Sequence, residues 1–131
     1  MITPRRTVLK AGAVAVSLAG CQSLSTLSPE KKPMYGLIGK INTKPGQRDA
    51  LAAILLQGTR AMPGCLSYIV ANDPKQADAL WITEVWDSPE SHKASLALPA
   101  VKEALTLGRP MIVGFGERFE TIPLGGVGIL K

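Results

Sequence analysis

Apolar and polar positions along the chain alternate with two different periods, and the switches between them mark out strands and helices. Over residues 34–43, Tyr35, Leu37, Gly39 and Ile41 fall on every second position, the period of a strand with one buried face. Lys44-Pro45-Gly46 is a turn. Over residues 47–62, Leu51, Ile54, Leu55, Gly58 and Met62 recur at spacings of three and four, a single apolar stripe along a helix, and Pro63-Gly64 stops it. Residues 65–72 alternate again, with Cys65, Ser67, Ile69 and Ala71 set against Leu66, Tyr68 and Val70. A polar connection over 73–78 leads to a third strand at 79–86. There Leu80, Ile82, Glu84 and Trp86 share one side and Trp81, Thr83 and Val85 the other, and the short link predicts a hairpin.

Ser88-Pro89 opens a second helix, with the serine as N-cap and the proline at the first helical position. Its apolar residues Leu96, Leu98, Val101 and Leu105 are interrupted by Pro99, which breaks or kinks it, and Gly108 ends it. Residues 111–122 read as a long fourth strand with Gly114 and Gly116 as candidate bulges. The tail, 124–131, is glycine-rich with apolar Leu124, Val127, Ile129 and Leu130, and is suited to reaching a partner subunit. The order βαββαβ over residues 34–123 predicts an α+β, ferredoxin-like fold: one antiparallel sheet with two helices on one face. A domain of this size has no second layer for the other face, and a face-to-face homodimer would cover it.

The first twenty residues follow a different logic. Arg5, Arg6 and Lys10 make a basic front, and residues 11–20 run without a charge. That run is too short to span a bilayer, which takes about 20 apolar residues, and a short apolar run behind a basic front is a signal peptide. Arg5-Arg6-Thr7-Val8-Leu9-Lys10 resembles the twin-arginine export consensus, with Val8 where Phe is commonest. Leu18-Ala19-Gly20-Cys21 resembles the lipobox of bacterial lipoproteins, which makes Cys21 the acylated first residue of the mature chain. Several acyl chains on one cysteine would anchor it durably. Gln22, in place of the Asp that retains many lipoproteins at the inner membrane, favours the outer one. Residues 21–33, rich in Ser, Lys and Pro, then form a flexible tether. The expected location is the bacterial cell envelope, facing the periplasm or the exterior.

Composition changes meaning in this light. The 131 residues hold one domain, and 46% apolar against 19% charged residues excludes wholesale disorder. The net charge of +5 would by itself point to a nucleic acid or an anionic surface. Without the leader's three cations it falls to +2, and no nucleic-acid partner is expected. With Cys21 acylated, Cys65 is the only thiol left and no internal disulfide can form.

Within the domain, Met62-Pro63-Gly64-Cys65-Leu66-Ser67-Tyr68 resembles the helix-to-strand junction of antibiotic biosynthesis monooxygenase (ABM) domains. Glu84-Val85-Trp86-Asp87-Ser88 is similar to their strand end, Pro89-Glu90-Ser91-His92 to the segment that follows, and Leu98-Pro99-Ala100-Val101 to a later one. The resemblance implies a dimeric α+β barrel. It also implies relatives that include cofactor-independent oxygenases of phenols and hydroquinones, quinol monooxygenases and haem-degrading proteins, with many members of no established activity. The haem-degrading branch uses an Asn on the first strand and a His late in the second helix. Here the strand position is Gly39, and no His follows His92.

Oxygenation without a cofactor needs a substrate able to reduce O2 itself, which a deprotonated hydroquinone can do. The protein must then supply a water-poor cavity and a group that takes the proton. Glu84, on an apolar face, is a candidate base, because a buried carboxylate pays several kcal/mol unless paired or raised in pKa; the alternative is an ion pair with Arg118 or Lys40. His92, the only histidine, is the second candidate for handling the proton, or else an exposed or capping residue. Trp86 reads as a cavity wall or a core aromatic, and Tyr35 and Tyr68 as donors to a phenolic oxygen or as half-buried strand residues. Cys65 reads as an inert core residue. No metal-ligand cluster, phosphate loop, dinucleotide fingerprint or nucleophile triad is present, and neither metal nor cofactor is expected. The leading expectation is a lipid-tethered oxygenase of a quinol or polyphenol. The alternative is a non-catalytic dimer that binds a small apolar ligand at the envelope.

Overall fold

Four strands alternate between a face that meets helices and a face that does not, and their pairing sets the site. The computed structural model describes residues 30–129, with Gly12 and Gly20 besides; the proposed leader with Arg5 and Arg6, the lipobox Cys21 and most of the tether lie outside the described residues, as do Leu130 and Lys131. The elements are β1 (Tyr35–Thr43), α1 (Arg48–Gly58), β2 (Cys65–Asn72), β3 (Ala79–Trp86), α2 (Pro89–Ser95), α3 (Pro99–Gly108), a 3-10 turn (Arg109–Met111) and β4 (Ile112–Thr121). The sheet is antiparallel in the order β2-β3-β1-β4, the ferredoxin-like arrangement.

Register decides which side chains share a face. Across β1 and β3, Tyr35 stands opposite Trp86, Leu37 opposite Glu84, Gly39 opposite Ile82 and Ile41 opposite Leu80. This is the helix side. Leu51 and Leu55 of α1 close on Leu80 and Ile82 there, and Met62, Trp86 and Val101 form a second buried cluster towards α2 and α3. Helices α1 and α3 pack closely: a β-carbon on Gly58 would lie 2.5 Å from that of Ala104.

Two local readings change, and two others hold. Helix α1 ends at Gly58, not at residue 62, because Gly58 and Thr59 are weak helix formers; the Thr59 hydroxyl donates to the Leu55 carbonyl (2.7 Å), and Met62 reaches the core from the following loop. A register shift between Cys65 and Ser67 places Cys65 opposite Trp86, so it packs with Tyr68 against the Trp86 cluster and leaves the Ser67 face. Gly64, at φ 82°, makes the turn that precedes it. The second helix is two helices, split before Pro99 as its sequence foretold. Strand β4 carries two register shifts against β1, one at residues 116–117 and one beside Gly114.

The outer face combines apolar and ionic groups. One row runs across all four strands through Ile69, Thr83, Ile38 and Phe119, with Ile69 and Phe119 more than half exposed. Beside it lies a buried ion pair that the polar reading of residues 73–78 missed. Lys40 Nζ donates to Asp73 Oδ2 (2.8 Å), and Trp81 Nε1 donates to the same oxygen (2.9 Å). Asp73 Oδ1 accepts the amides of Lys75 and Gln76. The Lys40 hydrogen bond, then the turn amides and Trp81, hold the Asp73 carboxyl far below the usual carboxylate range.

Candidate functional site

Strand β3 brings Glu84 and Trp86 to the helix side two residues apart. The Trp86 indole N–H donates to Glu84 Oε2 at 2.8 Å. Helix α2 supplies the third member. Ser88 caps it by accepting the Ser91 amide (3.2 Å), Pro89 opens it, and His92 follows one turn on with Nε2 3.6 Å from the same Glu84 oxygen. The His92 ring is held on two sides, by Tyr35 (centroids 5.0 Å apart) and by an edge-on contact with Trp86 (5.4 Å). The Glu84 and His92 side chains are only 12% and 19% exposed.

Burial pushes the Glu84 carboxyl up from its ordinary value, while the Trp86 hydrogen bond and the charges of His92 and Arg118 restrain the rise. Neither Lys40 nor Arg118 pairs with it: Lys40 is engaged by Asp73 across the sheet, and Arg118 Nη2 meets Glu120 Oε1 at 3.1 Å. Burial likewise raises Tyr68, which stands opposite Glu84, and Cys65.

Between sheet and helices lies a cavity of about 250 Å³. Glu84, His92, Trp86 and Tyr68 line it, together with apolar residues such as Leu37, Ile82 and Leu55. Its exposed lining residues Leu96, Leu105, Phe115 and Arg118 mark the mouth. Four of the five residues singled out for chemistry and pocket therefore meet at one cavity. Tyr35 does not line it: at the start of β1, opposite Trp86, its ring covers His92 and its hydroxyl donates to Glu120 Oε1 at 2.9 Å. Sequence reasoning missed the mouth residues and Glu120. They come from three separate elements, the end of α2, α3 and β4, and no local period links them. Among the described residues no group of three or more His, Cys, Asp or Glu is placed to hold a metal ion.

Residues 34–107 match the family model for antibiotic biosynthesis monooxygenase. The chain belongs to the ABM family. A crystal structure from Chloroflexus aurantiacus, assigned as an antibiotic biosynthesis monooxygenase, is 67% identical, with a TM-score of 0.72 over 73% of this chain and 98% of that one. One from Deinococcus radiodurans with the same assignment is 25% identical (TM-score 0.59, covering 74% and 99%). One from Caulobacter crescentus, 16% identical (0.65, covering 72% and 93%), shares the fold. No curated protein matches the chain. In this ABM domain the site combines an apolar-walled cavity, a buried carboxylate whose pKa burial raises and an imidazole beside it. Such a set can remove a proton from a phenol and keep the resulting anion away from bulk water.

Proposed function

We propose that the protein is a cofactor-independent monooxygenase of a hydroquinone or polyphenol. The observation that carries this reading is Glu84, held between the Trp86 indole and His92 on the wall of an apolar cavity with its carboxyl pushed up by burial. Glu84 takes the hydroxyl proton of the bound hydroquinone, and His92 steadies the carboxylate beside it. The hydroquinone anion passes one electron to O2, and the resulting radicals join in a carbon–oxygen bond. Loss of water then leaves a hydroxyquinone. One oxygen atom enters the ring, the other leaves as water, and the substrate supplies all four electrons. Tyr68, opposite Glu84 on β2, lines the same cavity.

Oxygen uptake by the purified chain with a panel of hydroquinones tests this. We expect consumption well above autoxidation, with a hydroxyquinone product; a rate equal to autoxidation across the panel, with or without reductant, overturns it. A cavity that binds these ligands without turnover would mark the protein as a ligand-binding lipoprotein.

The envelope location and the dimer complete the proposal. The basic front, apolar run and Leu18-Ala19-Gly20-Cys21 support a lipid anchor at Cys21, and the exposed Ile69 and Phe119 row supports a second copy packed on the outer face. Cys21→Ser is expected to move the protein from the membrane fraction to the soluble one, where light scattering should report a dimer. A variant that stays with the membrane contradicts the anchor, and a monomer at micromolar concentration contradicts the dimer.

A further inference from the structure

Tyr35 touches the proton-handling pair without lining the space a substrate would fill. Its ring lies 5.0 Å from the His92 ring, centroid to centroid, at a tilt of 38°. Trp86 meets the same imidazole edge-on at 5.4 Å. Among the described residues no hydrogen bond holds that imidazole. Nε2 is 3.6 Å from Glu84 Oε2, roughly half an ångström beyond hydrogen-bond length. A small turn of the ring therefore makes or breaks the contact between the two groups. The packing of the two aromatic neighbours sets that turn.

Those neighbours are not equally secure. Trp86 is buried in the core and tied by its own N–H. Tyr35 is the first residue of β1, and strand ends fray. Its hydroxyl is held from the edge strand β4: Glu120 Oε1 accepts it at 2.9 Å, and Arg118 Nη2 donates to the same oxygen at 3.1 Å. Both charged side chains are more than half exposed, so their ion pair adds little to the stability of the fold. What it does is fix the carboxylate, and through it the Tyr35 ring. We propose that Tyr35 and Glu120 are positioning residues, an arm that reaches in from β4 and sets the His92 imidazole against Glu84. This rests on the reading of Glu84 and His92 as the proton-handling pair.

His92 is the only histidine of the chain, so its ring gives one set of NMR signals, displaced by the ring currents of Tyr35 and Trp86. The test compares those signals, and steady-state oxygen uptake with a hydroquinone, in the native full chain, Tyr35→Phe, Glu120→Ala and the double variant. Each single change removes the same hydrogen bond and keeps an aromatic ring at position 35. Both should move the His92 signals in the same direction and lower kcat about ten- to a hundredfold, with KM within about twofold, because neither residue lines the cavity. The double variant should add little to either single one. Glu120→Gln, whose amide oxygen still accepts from the Tyr35 hydroxyl, should recover most of the loss. Unmoved His92 signals in both single variants, moved signals with kcat unchanged, a loss carried by KM, additive effects in the double variant, or a Glu120→Gln as impaired as Glu120→Ala each overturns the proposal. Coupled His92 shifts in a chain that consumes no oxygen uphold the arm and remove the oxygenase reading alone.

Discussion

Glu84→Gln should cost about 100- to 10,000-fold in kcat, the range by which a positioned base accelerates proton transfer, and should leave the fold intact. The variant amide oxygen can still accept the Trp86 N–H, so the 2.8 Å contact has a replacement and the side-chain volume is unchanged. The stability of the variant carries an independent signature. Burial raises the folded-state pKa of Glu84 above its unfolded value. Its favourable contribution is therefore complete below the unfolded carboxylate value, near 4.3, and is lost as pH rises through the folded value. Above that folded value the native domain holds a partly desolvated charge, and the variant does not. Chemical denaturation at pH 7 should find Glu84→Gln as stable as the native protein or more so, with the difference shrinking towards pH 4. Loss of activity together with loss of stability at pH 7 would mean that Glu84 serves the fold and not the chemistry.

Trp86→Phe should separate the two jobs of that indole. The residue is 1% exposed at the centre of a buried cluster, and the smaller ring leaves a void and removes a donor, a loss of about 1–3 kcal/mol in stability. The indole N–H is also the strongest of the influences that restrain the Glu84 pKa. Without it the carboxyl rises further, so the acid limb of the pH–rate profile should move to higher pH. Rates measured above that limb should fall much less. A stability loss with an unmoved acid limb would make Trp86 a packing residue only.

The pairing of Glu84 with Trp86 was legible from their separation alone, since residues two apart on a strand share a face. So were the strand limits of β3, the Ser88 cap and the split at Pro99, all of them consequences of local chemistry. His92 entered as a candidate as the only histidine, at the place where the resembled family carries one, and the structure sets it beside the carboxylate. What local pattern could not carry was any feature decided by two segments meeting. Cys65 changed faces because one inserted residue at the bulge reverses the alternation behind it. Tyr35 shares a sheet face with the cavity walls yet sits beyond the cavity's end, a matter of register and not of period. Asp73 looked like an ordinary loop residue until Lys40 and Trp81 arrived from two other positions in the chain to engage it.

Asp73 and Glu84 sit on opposite faces of one sheet, and their surroundings displace them in opposite directions. Acidification therefore discharges them in a definite order. Glu84 gives up its charge first, while the stability contributed by Asp73 persists until the pH falls through its much lower folded value. On the proposed mechanism, an acid excursion that stops short of the Asp73 value idles Glu84 and leaves the clasp at the head of the β2–β3 hairpin fastened, so that activity returns with neutrality and no refolding is required.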